Sequence, residues 1–548
     1  MTKSLFFVAL TILLLIPELL SSQNIKGTVK DALNGPLIGV SITIKGTSMG
    51  TVTDVDGKFS LEASSGTLLL TYIGYKSLEL PIAGTTNWEL VMEEESTVLN
   101  TLVVVGYGLQ KKKDLTSAVV VVDENALKDR PMVSAAEGLQ GKAAGVQVVQ
   151  SSGKPGGDIA VRVRGSTSVL AGNEPLYVVD GVPTTDIRGL NPSDIATMTI
   201  LKDASSSAIY GARAANGVVL INTRRGRTDG DALRLNMYTG ISYLRKTIDV
   251  LTTKKYRELM EEVIPGAIDP AATNYTNWSD KVFGVGKNQS YQLSYSGGTE
   301  KAKYFVSGSY LNTEGIIRPA TFDRYSVRIN LDNQVKSWLS FSSAVNVLHS
   351  KTKDTPDNAS SGRGGVIMSA LNTPPFLRVF KTDGSGQYDP NPFQPSWENP
   401  IAYMEGADQL QTDTRLFGNV SATANVLPHL TAKTNLGVDL NQHAWDYYLD
   451  PFKTNFGRNQ NGVGRSDKSV TQAWLWENTL NYQRSSGGHN YALLAGTSTQ
   501  RSVYNDSYLQ GNDFPSNVSV KTLNAANNIS GSTARQVWAI ASFFGRIN

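Results

Sequence analysis

The feature that most limits this chain lies in its first two dozen residues and in what never recurs after them. Lys3 supplies a positive start, Leu5–Ile16 is a continuous apolar run, and Pro17-Glu18 and the small pair Ser21-Ser22 follow. That order is the pattern of a secretory signal; a membrane-anchoring helix would need about 20 apolar residues, and Pro17 interrupts this one. Residues 1–22 are therefore read as a signal peptide, with cleavage expected near Ser22 and a mature chain starting near Gln23. No later apolar stretch approaches the length of a spanning helix. An exported chain without one is either soluble or a β-barrel, because hydrocarbon tolerates no unpaired backbone.

Composition narrows the choice. Charged residues make up only 18% of the chain, against 50 glycines and 22 tyrosines, which suits β-rich architecture with many turns. The 51 basic and 48 acidic residues nearly cancel, so nothing resembles a nucleic-acid footprint, and no nucleic-acid partner is expected. There is no cysteine, which removes disulfides, thiolate metal sites and a thiol nucleophile. His349, His429, His443 and His489 are scattered without metal-ligand spacing, so no metal and no cofactor are expected.

Residues 23–95 read as a compact β-sandwich. Short strands are expected at Ile25–Lys30, Val40–Lys45, Gly50–Thr53, Lys58–Leu61 and Thr67–Tyr72, punctuated by Asn34-Gly35-Pro36, Asp56-Gly57 and Ser64-Ser65-Gly66. Two motifs here imitate chemistry. Gly46-Thr47-Ser48-Met49-Gly50 fits the hydrolase elbow pattern, but that motif needs a following helix and a histidine partner, and neither is near. Asp54-Val55-Asp56-Gly57 looks like part of a calcium loop, yet the remaining ligands and closing Glu are missing, so a hairpin turn is the better reading. No catalytic residue is assigned, and the chain is not read as an enzyme.

Residues 96–116 form a linker. Within it Leu99–Gly108 is an apolar, β-branched run with no core of its own, followed by Lys111-Lys112-Lys113, read as a solvated linker. The run is either an ordinary strand of a neighbouring domain or a segment that adds itself as a strand to a partner's sheet edge. Residues 117–227 are mixed α/β, with helices expected around Ser134–Gly141, Ser193–Ala196 and Ser205–Tyr210. Strands are expected at Gly145–Val149, Ile159–Arg164, Pro175–Val179, Met198–Leu201 and Gly217–Thr223.

From residue 228 to 548 the pattern changes to dyad alternation. Leu233, Leu235, Met237, Thr239 and Ile241 alternate with Arg234, Asn236, Tyr238 and Gly240. Leu430–Leu440 and Trp474–Tyr482 repeat it, the latter turning at Ser485–Gly488 into Tyr491–Thr497. About ten such segments of about ten residues each are expected, the signature of an antiparallel transmembrane β-barrel. A soluble array of sandwiches would imitate it.

The ordered motifs carry a resemblance. Leu139–Val146, Arg162-Val163-Arg164-Gly165, Pro175–Pro183, Leu201-Lys202-Asp203-Ala204-Ser205 with Tyr210-Gly211, and Arg324–Asn330 resemble those of the SusC/RagA-like TonB-dependent outer-membrane receptors over essentially the whole mature chain. The resemblance implies a multidomain, mainly β architecture. It comprises a carboxypeptidase-regulatory-like β-sandwich (23–95), a TonB-box linker (96–116), an α/β plug domain (117–227) and an incomplete antiparallel transmembrane β-barrel (228–548).

It further implies a TonB box at Thr101, Leu102, Val103, Val104 and Val105, although the acidic residue usual before the valines is replaced by Asn100-Thr101. Plug-motif residues would be Arg162, Arg164, Gly165, Asp180, Gly181, Lys202, Asp203, Tyr210 and Gly211. Implied partners are the TonB energy-transducing complex, a SusD-like lipoprotein, outer-membrane lipid and an oligosaccharide or peptide substrate. The protein would sit in the outer membrane, with the first domain and the TonB box facing the periplasm.

Two further expectations follow. Arg162 and Arg164 share a strand face and either meet the barrel wall as charged pairs or stand exposed. Plugged transporters use about 22 strands, more than the residues after Arg227 supply, so the chain is expected to be a fragment with an incomplete barrel. The competing readings are a passive porin, which leaves the plug unexplained, and a non-transporting surface adhesin or binding protein, which leaves the plug motifs unexplained.

Overall fold

The computed structural model describes residues 23–547 apart from 32–33, 48, 64, 73–74, 83–86, 94–101, 106–107, 112–117, 129–130, 151, 170–171, 357–364, 394–397, 487–488 and 516–519. The expected signal peptide, Ser48, Thr101 and Lys112-Lys113 lie outside the described residues. The chain falls into two compact units, one running to Val103 and taking in Leu109–Leu115, the other holding Val104–Gly108 and everything from Thr116.

The first unit is two facing sheets. β1 (Gln23–Lys30) lies between β4 (Lys58–Ala63) and β7 (Asn87–Val91), while β2 (Ser41–Ile44), β3 (Gly50–Val52), β5 (Thr67–Thr71) and β6 (Leu78–Pro81) make the second sheet in the order β3-β2-β5-β6. Strict alternation buries Phe59, Leu61 and Ala63 from β4 and Leu68 and Leu70 from β5 in one apolar core. Two of these strands, β6 and β7, are absent from the sequence reading, because Leu78-Glu79-Leu80-Pro81 is a half-buried edge too short to show a period. The Asp54 carboxylate accepts from the amides of Asp56 (3.0 Å) and Lys58 (2.8 Å) around a left-handed Gly57, which is hairpin geometry. Leu102–Val105 (β8) and Gly108–Lys111 (β9) make a separate two-stranded sheet.

The second unit begins with the α/β plug. Its sheet runs β10-β15-β16-β13-β14, built from Val119–Asp123 (β10), Leu176–Val179 (β13), Val182–Thr184 (β14), Ile195–Leu201 (β15) and Val218–Thr223 (β16). A hairpin of Val146–Gln150 (β11) and Ile159–Val163 (β12) flanks it. β13 and β16 are apolar on both faces and central, so they pack Tyr177, Val179, Val219 and Ile221 into one core with Leu139, Met198 and Ile200.

The helix expected at Ser193–Ala196 is a single 3-10 turn, Pro192–Asp194, capped by Asn191, after which β15 starts at once. Pro192 favours that first turn, and the apolar residues from Ile195 are claimed by the sheet. The helix expected at Ser205–Tyr210 is likewise broken, Ala204–Ser207 giving way to a 3-10 stretch kinked at Gly211 (φ 68°).

Ten strands then form one antiparallel sheet in chain order. They are Ala232–Ser242 (β17), Gly286–Gly298 (β18), Ala302–Glu314 (β19), Thr321–Lys336 (β20), Leu339–Asp354 (β21), Ala407–Leu427 (β22), Leu430–Leu449 (β23), Val463–Ser486 (β24), His489–Asn512 (β25) and Asn528–Ile547 (β26). This sheet resembles part of a barrel: side chains from β18 through to β25 touch the plug, so it curls around that domain. The alternation is plain on β20, where Arg324, Ser326, Arg328 and Asn330 are buried inward while Tyr325, Val327, Ile329 and Leu331 are exposed outward.

Strands reach 24 residues rather than about ten. Their outer apolar band, such as Leu436, Val438 and Leu440 on β23, gives way to Gln442 and Asp446 further along. Among the described residues one rim carries tight turns, at 299–301, 337–338 and 428–429, while the other carries long connections with their own helices, Thr253–Val263 among them. Among the described residues no helix is long and apolar enough to cross a membrane, which says nothing of strands.

Candidate functional site

The plug meets the wall through apolar contacts, such as Phe417 in the plug core and Leu348 on Gly189, and through polar groups, and one carboxylate organises the polar centre of that contact. β13 ends in the turn Asp180-Gly181, both with positive φ (50° and 90°), as the tight reversal into β14 requires. Asp180 therefore points sideways, accepting from the Thr223 amide at 3.0 Å and the Thr223 hydroxyl at 2.7 Å, and so fixes the end of β16. Arg328, projecting inward from β20, brings Nη1 to 3.5 Å from Asp180 and Nε to 3.6 Å from Asp194. All three side chains are almost wholly buried.

Asp194 also accepts from Gln292 Nε2 of β18 and Ser307 Oγ of β19, both at 2.7 Å, and burial pushes its carboxyl above the usual range against the pull of Arg328. Charges this deep are tolerable only as partners, and each becomes costly when the other is removed.

Further contacts run up and down the wall. Arg415 of β22 forks onto Asp439 of β23 (2.7 and 2.5 Å) and reaches the plug at the Asp186 carbonyl (2.8 Å) and the Thr184 hydroxyl (2.6 Å). Arg324 donates to the carbonyls of Val133 and Arg188, both at 2.9 Å. Toward the tight-turn rim Asn330 holds the Arg224 carbonyl at 2.6 Å and Arg225 reaches Asp332 at 3.2 Å. Toward the long-loop rim Lys154 pairs with Asp354 at 2.7 Å.

The residues singled out from sequence fall into two groups. Asp180 and Gly181 lie at the wall contact. Arg164, Gly165, Lys202 and Asp203 gather on an exposed side of the plug: Arg164 Nη2 is 2.6 Å from Asp203, and Lys202 Nζ donates to the Ala144 carbonyl at 2.7 Å. Asp203 also accepts from the Ala118 amide at 2.6 Å, at the point where the linker enters the plug; that N–H, ahead of Arg164, holds its carboxyl below the usual range.

The expected pairing of Arg162 and Arg164 with the barrel wall is thus corrected for Arg164. It leaves β12 with φ 59°, which turns its side chain along the plug, while Arg162 stands exposed on β12. Tyr210 is buried, with its hydroxyl raised by that burial, and Gly211 supplies the left-handed kink behind it. Thr101 is outside the described residues; Leu102–Val105 is a strand, and its side chains are not described.

Sequence reasoning missed Arg328, Asp194, Arg415 and Asp439. The signal was present in Arg324-Tyr-Ser-Val-Arg328-Ile-Asn330, where polar residues hold every second place on a strand whose other face is apolar.

Comparison with known proteins is consistent with this architecture. Residues 111–218 match the TonB-dependent Receptor Plug Domain and residues 25–105 the CarboxypepD_reg-like domain. The chain is 32% identical to TonB-dependent receptor P3 of Formosa agariphila, covering 100% of this chain and 55% of that protein. It is 29% identical to TonB-dependent receptor SusC of Bacteroides thetaiotaomicron, covering 100% of this chain and 57% of that protein. It therefore spans about half the length of the curated relatives it matches. In fold it is similar to a chain of the RagAB peptide importer in an open-open state, with TM-score 0.70 and 23% identity over 82% of this chain and 54% of that one. Along its whole length, from regulatory-like domain through plug to strand wall, the chain is a homologue of the SusC-like TonB-dependent receptors.

Proposed function

We propose that the protein is an energy-coupled outer-membrane receptor that imports an oligosaccharide or a peptide. The observation that carries this is the charged centre of the plug's seat: beside apolar contacts from Phe417, Leu348 and Phe322, buried ions and amides hold the plug to the wall through bonds that water can replace when the plug shifts. An apolar seat would resist that exchange, and a passive pore would need no plug. In this reading the tight-turn rim faces the periplasm and the long-loop rim faces outward.

The TonB energy-transducing complex engages Leu102–Val105 by strand addition, through backbone groups more than side chains. A pull there reaches the plug first at Ala118 and then at β10, the edge strand of its sheet. A SusD-like lipoprotein covers the outer mouth, and lipid surrounds the apolar band. The homologues are receptors, and no catalytic role is assigned. The test is uptake by cells producing the protein: a labelled nutrient that supports growth enters, and entry stops when the proton gradient is dissipated. Uptake indifferent to the gradient overturns the reading and favours a surface binding protein.

A further inference from the structure

The inner face of β22–β25 continues past the plug contacts toward the long-loop rim, and its character changes there. On β23 the inward face is marked by Gly437, packed against Val182, and by Asp439 at Thr184. Two-residue steps from these put Trp445 and Tyr447 on the same face. Their rings are parallel within 9°, with centroids 5.8 Å apart, and the Arg465 guanidinium of β24 lies 5.9 Å from the Tyr447 ring. Register sets Trp445 beside Gln411 and Asp467, and sets Asp467 beside Tyr508 of β25. Asp506 lies diagonally across from Asp467 and accepts from the Tyr504 hydroxyl at 3.2 Å.

The outer face at this height is mostly polar, with Gln442, Asp446 and Lys468 beside Leu410 and Leu509, so these rungs stand at the edge of the apolar band or beyond it. The four aromatic rings and both carboxylates are half-buried, not packed into a core. Such a surface is best desolvated by a ligand that brings an apolar face and several hydroxyl donors together. A pyranose has both: its C–H face meets the electron-rich ring face, and its hydroxyls donate to carboxylates and amides. Asp413 is paired with His443 at 2.7 Å, and Asp467 and Asp506 stand against the single cation Arg465, which disfavours an anionic sugar. The patch from β23 to β25 is about 10 Å across, room for roughly two sugar units.

We propose that this upper wall binds a neutral oligosaccharide, with Trp445 and Tyr447 as the stacking surface and Asp467 and Asp506 as hydroxyl acceptors. The proposal rests on the import reading and names the substrate class and the residues that select it.

The test is calorimetric titration of the detergent-purified protein with neutral gluco-, manno-, xylo- and galacto-hexasaccharides, beside a tryptic peptide pool from casein. One hexasaccharide is expected to bind saturably. W445A and Y447A should weaken it about tenfold or more, D467N less, and W445F should keep most of the affinity. Heat-modifiable mobility of each variant checks that it is folded. Binding of the peptide pool with none of the sugars overturns the proposal, as does sugar binding that folded W445A and Y447A leave unchanged.

The import reading fails separately. Uptake that collapses without the proton gradient but ignores W445A removes only this site. Trp445-dependent sugar binding in a protein whose uptake ignores the gradient removes only the import reading.

Discussion

Two Arg–Asp contacts on the plug look alike on paper and differ in almost everything that matters. Arg164 and Asp203 lie 2.6 Å apart, with the Arg164 side chain 53% exposed; Arg328 lies 3.5 Å from Asp180, with side-chain exposures of 2% and 5%. The shorter contact is the weaker one. Water competes for exposed charges and side-chain entropy opposes their fixation, whereas a buried ion that loses its partner has nothing to turn to. Burial, more than distance, separates a seat from a clasp. The buried set holds the plug against the wall; the exposed set, which also takes the Ala118 amide, lies where the linker hands over to the plug and can open first.

The sharpest way to break this contrast is R328A, which takes from Asp180 and Asp194 the buried cation they share, leaving Asp180 only the more distant Arg225 at 3.9 Å. Removing one partner of a buried pair costs about 3–5 kcal/mol, so the plug should become protease-sensitive, and bilayers containing the protein should leak ions. R415A should act in the same direction less strongly: it leaves Asp439 unpaired, but that carboxylate is more exposed (18%) than Asp180 or Asp194, and the Asp186 carbonyl and the Thr184 hydroxyl each lose only a donor.

Acidity sharpens the comparison next. The folded Asp194 carboxyl titrates above its unfolded value, so its contribution is fully present below the unfolded pKa and lost as pH rises through the folded one. Plug retention should therefore weaken as pH rises through the range of the folded carboxyl, and D194N should flatten that dependence. Asp203 has the opposite sign: its folded carboxyl titrates low, so its contribution is lost only in strong acid. The smallest effect is expected from D203N, which should leave protease resistance of the plug indistinguishable from wild type. A D203N plug as loose as that of R328A would abolish the distinction.

How much of this was legible in the sequence depends on how local the signal is. Leu430–Leu440 and Trp474–Tyr482 announce wall strands because one face meets an apolar surround and the other does not. The same strands become unreadable beyond Leu440, where Gln442 and Asp446 make the outer face as polar as the inner one; this is why their length was underestimated. The turn at Asp180-Gly181 was readable from two adjacent residues, but its partner Arg328 lies on β20, far along the chain. Arg164 is legible as a charge, yet its partner Asp203 sits past the end of β15, at the start of the next helix, and no spacing rule links them. Local chemistry marks elements, while long-range partners require the fold.

The most direct test of the account is V104P, which removes one backbone donor from the coupling strand and fixes its φ while leaving the plug and wall untouched. The measurement compares, in the same cells, surface binding of the labelled nutrient with its entry. The account predicts that V104P binds as wild type does and imports nothing. V104P cells that import at the wild-type rate would contradict it.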